Sequence, residues 1–154
     1  MSSSNGSPTT RFIRSVSFAA AHRYGSDQMS REENLKAYGD LYRDEGFGHN
    51  FLVEAHFEGE IDPLTGMIVN LVDVDAWLKS VAAKFDHKHL NEIPEFSGVV
   101  PTLERLAQKF FELVAPSVKA HEAALRASGD RRTVRLAKVR VYEGDDTWVD
   151  YSDR

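Results

Sequence analysis

The segment from residue 49 to residue 57 constrains the fold most, because its side chains alternate between two chemical classes. Its odd-numbered positions are mainly apolar, while Asn50, Glu54 and His56 fall between them. Successive side chains of a β-strand point to opposite faces, so the pattern predicts a half-buried antiparallel strand. Looser alternation predicts another strand at 11–20. A hairpin is predicted from 134–151, and a short returning strand at 67–69.

Two further segments carry apolar residues at helical spacing. The first runs from 74 to 85 with Asp73 as its predicted N-cap, and the second begins at Leu103. Pro116 is expected to end or kink the second helix, which resumes at 117–127. Strands segregated from helices indicate the α+β class, with two helices on one face of a four-stranded antiparallel sheet.

The length of 154 residues fits a single domain, which we assign to residues 11–154 after a polar, disordered tail at 1–10. Residues 23–46 are predicted to form a long loop, and loops of that length are usually functional. An open antiparallel sheet has edges that need pairing, and oligomerisation would supply it.

Composition excludes several functional classes. The formal net charge is -5, from 24 acidic and 19 basic residues, which argues against a nucleic-acid partner. The chain has no cysteine, so it has neither a disulfide nor a thiolate nucleophile. No segment approaches the roughly 18 apolar residues of a membrane span. We therefore expect a cytoplasmic protein that does not act on a membrane.

Two histidines lie at adjoining ends of the first two predicted strands. His22 ends the first strand and His49 begins the second, both on the predicted apolar face. Antiparallel pairing of these strands could bring the imidazoles together, and imidazole is the commonest zinc ligand. The alternative is a pair of histidines at the edge of the core whose hydrogen bonds go to the backbone.

Four other residues have side chains that could serve either a reaction or the structure when each is considered alone. Asp86 and His87 close the first helix, where they could form a proton-transfer pair or complement the helix dipole. Glu104 lies in the first turn of the second helix and could serve a ligand or the same dipole. Glu143, at the rim of an apolar strand face, suits a planar pair of N–H donors.

Eight segments together resemble, in order and spacing, the 6-pyruvoyl-tetrahydropterin synthase family with its 6-carboxy-tetrahydropterin synthase relatives. The segments are SFAAAHR at 17–23, ENLK at 33–36, GHNF at 48–51, GEIDPLTGM at 59–67, NLVD at 70–73, DHKHLN at 86–91, PTLE at 101–104 and VRVYE at 139–143. The resemblance covers roughly residues 11 to 151.

This resemblance implies a tunnelling fold, in which protomers pair their sheets into a trimeric β-barrel and two trimers stack into a homohexamer. It also implies a lyase that acts on dihydroneopterin triphosphate or related pterins bound between protomers. Glu143 would anchor the pterin ring with the help of Thr102 and Glu104. Asp86 and His87 would form the proton relay.

The chain departs from the family pattern at two positions. The family's metal motif is HGHN, and here residues 47–50 read FGHN. Because Phe47 cannot ligate a metal, only His22 and His49 remain of three zinc-binding histidines. Catalytic zinc normally keeps three protein ligands, so we expect weak or absent zinc.

The second departure is at the nucleophile, where the family's cysteine aligns with Leu41. Leucine cannot relay a proton, and none of the neighbouring acids Asp40, Asp44 and Glu45 aligns with that position. Two hypotheses remain. The protein is a lyase with an altered metal site, or it is a catalytically inactive pterin-binding homologue, either a pseudoenzyme or a regulatory subunit.

Overall fold

A computed structural model describes residues 9–154. Its strands and helices are β1 (Thr10–His22), α1 (Arg31–Tyr38), β2 (Phe47–Gly59), α2 (Leu71–Phe85), β3 (Lys88–His89), α3 (Leu103–Ala127), β4 (Val134–Tyr142) and β5 (Trp148–Tyr151). Most of the predicted tail lies outside the described residues, and Thr10 already belongs to β1. Within residues 9–154 no helix is long and apolar enough to cross a bilayer.

The strands form one sheet in the order β3-β1-β2-β4-β5. β1 pairs antiparallel with β2 from Thr10 opposite Gly59 to His22 opposite Phe47, and β4 and β5 continue the antiparallel pairing. The α+β class and the predicted hairpin are confirmed. The short β3 pairs parallel with β1, so the sheet is mixed and has one strand more than expected.

The predicted strand at 67–69 is wrong. The chain turns there instead, because Asp62 donates its N–H to the carbonyl of Met67 and accepts the N–H of Leu64 on its carboxylate. Ile68 and Val69 are buried as the pattern suggested, but α2 begins at Leu71 and leaves no length for pairing. The helix also begins before the predicted cap, since the side chain of Asn70 accepts the N–H of Val72.

The core lies between the sheet and the helices α2 and α3. Its centre is a cluster of phenylalanine rings with centroids 5.5–6.4 Å apart, and its members come from β1, β2, both helices and the segment before α3. They are Phe18, Phe51, Phe85, Phe96 and Phe110. Each buried ring contributes about 1.5–3 kcal/mol by leaving water, so the cluster holds both helices on one face of the sheet.

Helix α3 continues across Pro116 to Ala127, so proline does not end it, whereas the helical prediction for 117–127 is confirmed. An internal proline removes one backbone hydrogen bond at a cost of about 3 kcal/mol. Val114 and Val118, on either side of it, are buried against the core. Their burial on both sides offsets that cost.

The segment predicted as a loop contains α1, which the sequence reading missed. Ser30 accepts the N–H of Glu33, and the Glu33 carboxylate accepts the N–H of Ser30, which is a capping box. Asn34, which is buried, binds the backbone of Ser26 through both ends of its amide. These bonds fix the segment beside the end of β1.

Candidate functional site

The register of β1 and β2 brings His22 and His49 together. His22 lies opposite Phe47, and Ala20 lies opposite His49, so both histidines occupy the core face of neighbouring strands. The ring centroids are 5.2 Å apart, and the two ring planes are nearly perpendicular. The juxtaposition expected from the sequence is therefore present.

The His22 imidazole is completely buried and its orientation is set by the backbone. Its Nδ1 lies 2.8 Å from the carbonyl oxygen of Pro101, which can only accept, so Nδ1 is the donor. Nε2 therefore carries the lone pair, and it has no hydrogen-bond partner among the described residues. Burial lowers the pKa of His22 from its ordinary value, which favours the neutral ring. Metal-ligating histidines typically have this arrangement.

Glu143 completes a cluster with the two imidazoles. The residue follows β4, and its Oε1 lies 2.7 Å from His49 Nε2 and 3.6 Å from His22 Nε2. The ligand atoms of all three residues lie within 4.8 Å of one another. Within residues 9–154 this is the only group of three such side chains, so two nitrogens and a carboxylate converge as in many metal sites.

Phe47 lies on the same face beside this cluster. Its ring stacks on His49 with centroids 6.4 Å apart, and the guanidinium carbon of Arg43 lies over the Phe47 ring, 4.7 Å from its centroid. An apolar ring thus occupies the position at which the resemblance leads us to expect a third histidine. Leu41, at the expected nucleophile position, ends a short helical turn and is 45% exposed.

Tyr24 is a site residue that the sequence reading missed. Its ring lies 5.2 Å from that of His22 and 5.7 Å from that of Tyr38 on α1. Burial raises the pKa of Tyr24 to about 12, and the negative charges of Glu143 and Glu104 act in the same direction. A single tyrosine after a strand carries no sequence signal, and only the folded position of α1 reveals it.

The residues assigned to the pterin by resemblance lie around the start of α3. Thr102 is the N-cap, and its hydroxyl accepts the N–H of Arg105 at 3.2 Å. Glu104, in the first turn, is exposed. Because Tyr24 feels the charges of both Glu104 and Glu143, the two carboxylates share one neighbourhood.

Asp86 and His87 form the expected carboxylate–imidazole pair, with Asp86 Oδ1 3.0 Å from His87 Nδ1. Both are tied to Ala19, whose N–H donates to Asp86 and whose carbonyl accepts the N–H of His87. The Ala19 N–H lowers the pKa of Asp86. His87 has a left-handed φ of 57°, which is uncommon for a histidine and often found at functional sites.

The His87 side chain is 83% exposed and lies beside Ala19 at the outer edge of β1. In the described part of the chain no hydrogen bond or ion pair joins it to His22, His49 or Glu143. Within this chain the cluster of His22, His49 and Glu143 and the pair of Asp86 and His87 are therefore not in direct contact.

Comparison with known proteins gives consistent matches. The family model described as 6-pyruvoyl tetrahydropterin synthase matches residues 12–154. The human 6-pyruvoyl tetrahydrobiopterin synthase is 36% identical over 140 residues, covering 90% of this chain and 88% of the relative. That of Poecilia reticulata is 39% identical over 126 residues, covering 78% and 86%.

A solved structure of the Caenorhabditis elegans 6-pyruvoyl tetrahydropterin synthase superposes with a TM-score of 0.80 at 27% identity. The match covers 96% of this chain and 97% of the other. These matches confirm the resemblance found in the sequence and the tunnelling fold that it implied.

We expect His22 to remain a neutral Nδ1–H tautomer below pH 6.5, its ordinary pKa, because burial disfavours the charged ring in the folded protein. The unfolded chain then binds more protons near that pH. The contribution of His22 to stability is therefore complete above pH 6.5 and is lost as the pH falls toward the folded pKa. The titration of His22 can be followed by nitrogen-15 NMR of metal-free protein, with His22→Gln to assign its signals. A titration midpoint of 6.5 or higher for His22 would contradict the prediction.

Proposed function

The chain belongs to the 6-pyruvoyl tetrahydropterin synthase family, and on that premise we propose that it is a lyase acting on dihydroneopterin-type pterins. Dihydroneopterin triphosphate is the substrate we propose to test. The observation that carries the proposal is the convergence of His22, His49 and Glu143 beside the start of α3.

Recognition of the pterin ring is assigned to Thr102, Glu104 and Glu143. A pterin offers a planar set of N–H donors, and carboxylates accept such pairs strongly. Both imidazole contacts of Glu143 use Oε1, so its Oε2 can accept from the ring. Thr102 uses its hydroxyl oxygen as an acceptor, which leaves the O–H free to donate to a ring oxygen. Tyr24, which stays protonated, is a further donor at the same wall.

The donor set at His22 and His49 fits a metal, because a buried imidazole nitrogen is left without a partner and is aimed at the other two groups. We propose zinc, whose usual ligands are imidazole nitrogens and carboxylate oxygens. Such an ion supplies Lewis-acid polarisation of a substrate oxygen. The pocket's own residues orient the pterin side chain against it.

Proton transfer is assigned to His87, with Asp86 as its positioning residue. A lyase needs a group that removes a proton from a side-chain carbon, and an imidazole held by a carboxylate is suited to this. Because His87 does not contact the cluster of its own protomer, we propose that the pocket forms between protomers. His87 would then act on a pterin held by another chain.

The absence of a cysteine gives the second candidate, a catalytically inactive pterin-binding homologue. Leu41 is exposed and apolar where the resemblance puts a nucleophile. This candidate requires only the residues that bind the pterin ring. A measurement of turnover therefore distinguishes it from the lyase.

We expect the purified protein to convert dihydroneopterin triphosphate, and His87→Asn to reduce kcat about 100-fold or more through loss of proton transfer. Asparagine is chosen because it tolerates the left-handed φ. His121→Asn, on α3 beside Trp77, is the matched control and should retain full activity. Products are measured by liquid chromatography with mass spectrometry. Pterin binding without turnover in the unmodified protein would instead establish the inactive homologue.

We expect Glu104→Gln and Glu143→Gln each to weaken binding of neopterin by about 2–5 kcal/mol, because one side of a charge-assisted pair is removed. The dissociation constant is measured by calorimetric titration of protein treated with a chelator, so that differences in bound metal do not affect it. Glu112→Gln, an exposed position further along α3, is the control. An unchanged dissociation constant for either variant would remove that residue from the ring site.

We propose a homohexamer made of two trimers. Beyond Ala20 and Ala21, which pair with β3, the outer edge of β1 has no strand partner within residues 9–154, and β5 pairs only with β4. Edge-to-edge pairing of protomers would satisfy both edges. Light scattering should give the mass of a hexamer, or at least a trimer, whereas a stable monomer at micromolar concentration would refute the proposal.

A further inference from the structure

We propose that Glu143 is the third protein ligand of the metal site, in place of the histidine that is absent at Phe47. The inference rests on the proposed function only in taking the site to be a metal site, and it does not depend on which reaction follows. It changes the sequence-based expectation of weak zinc, which counted two ligands.

The positions of the three ligand atoms favour this assignment. Glu143 Oε1 approaches both Nε2 atoms, at 2.7 Å from His49 and 3.6 Å from His22. Ligand atoms about 2.0–2.2 Å from a tetrahedral zinc lie roughly 3.4 Å from one another. A zinc ion could be held here if Glu143 Oε1 moved about 0.7 Å away from His49 Nε2, while its distance to His22 Nε2 already suits a shared ion. The two imidazole nitrogens lie within 4.8 Å of each other.

The hydrogen bonds of His22 supply an independent reason for a cation. Because Nδ1 donates to the Pro101 carbonyl, Nε2 presents a lone pair to a carboxylate oxygen 3.6 Å away. Two acceptors face each other in a site where His22 is fully buried. A metal ion between the two groups would accept both lone pairs.

The substitution at position 47 explains why a carboxylate is recruited. Phe47 lies opposite His22 on the same face, stacks on His49 and lies under Arg43. Its phenyl ring has no atom that can bind a metal. Two histidines with a glutamate form an established ligand set for catalytic zinc. The metal would then be partly neutralised by Glu143, which a third neutral imidazole would not do.

A shared carboxylate has a functional consequence. With Oε1 on the metal, Oε2 of Glu143 remains for the pterin ring, so one side chain joins the metal to the ring. Occupancy of the metal site then orients the carboxylate for the ring, and binding of the two ligands becomes coupled.

The test begins with the full-length protein in its native assembly, stripped of metal and free of pterin. Its affinity for Zn²⁺ is measured by titration against a competing chelator. Stoichiometry is read by elemental analysis. We expect about one equivalent per chain, and Glu143→Ala to weaken binding by more than about 100-fold, since loss of a direct ligand exceeds typical losses from supporting residues. Glu112→Ala, which removes an exposed carboxylate further along α3, is the matched control and should leave zinc affinity unchanged.

A rescue variant separates ligation from structural damage. Phe47→His in the Glu143→Ala background should restore binding, because residue 47 faces His22 on the same side of the sheet. Visible absorption of Co²⁺ substituted for zinc should differ between the unmodified protein and the double variant, because an oxygen ligand has been exchanged for a nitrogen. Circular dichroism checks that each variant is folded.

Zinc affinity unchanged by Glu143→Ala would overturn the assignment, and so would failure of the folded, unmodified protein to bind zinc at all. Identical Co²⁺ spectra for the unmodified protein and the double variant would also overturn it. The proposed function fails separately. If the protein binds zinc through Glu143 but leaves dihydroneopterin triphosphate unchanged, the lyase function is refuted and the assignment of Glu143 as a metal ligand stands.

Discussion

The register in which β1 pairs with β2 is the constraint on which the rest of the structure depends. The two strands pair over all 13 residues of each, and a slip of one residue would turn every side chain to the opposite face. In the observed register Phe18 and Phe51 meet in the core, and His22 and His49 continue the same face at the strand ends. Gly46 helps to fix this end, because its φ is 69° and a Cβ there would overlap the His22 carbonyl. The candidate site is thus an extension of the core face beyond the aromatic cluster.

The entry into α3 gives this face its chemical character. Pro101 provides the carbonyl that fixes the His22 tautomer, and Thr102, the next residue, caps the helix. The same turn carries Glu104 toward Tyr24. One short segment therefore orients a buried imidazole and presents polar groups at the pocket wall. Packing of Phe110, farther along the helix, against Phe18 and Phe85 holds that segment against the strands.

The separation of the two candidate groups within one protomer follows from where they lie in the sheet. Asp86 and His87 are bound to Ala19 at the outer edge of β1, whereas Glu143 follows β4 on the other side of β2. No hydrogen bond or ion pair joins the two groups within the described part of the chain. An assembly that joins sheet edges is the simplest arrangement in which an exposed imidazole from one chain approaches the cluster of another.

The sequence by itself determined the features that depend on local periodicity. Alternation located β1 and β2, helical spacing located α2 and α3, and parity put His22 and His49 on one face. The adjacent pair Asp86 and His87 could be recognised because neighbouring residues are close in any fold. Missed features had other causes: α1 is mostly polar and lacks an apolar stripe, and only its capping box at Ser30 and Glu33 signalled a helix. Within the apolar run at 67–69, Ile68 and Val69 are buried without forming a strand.

Only the tertiary structure decided which distant side chains meet. Glu143 was assigned to a ligand from its position at a strand rim, yet its carboxylate lies against His22 and His49, more than 90 positions earlier in the chain. Tyr24 joined the site because α1 packs over it. Side-chain direction at the end of a strand depends on the turn that follows and on what neighbouring strands present. Periodicity specifies the face of a residue, but the contact between two faces arises only when the sheet and its helices are assembled.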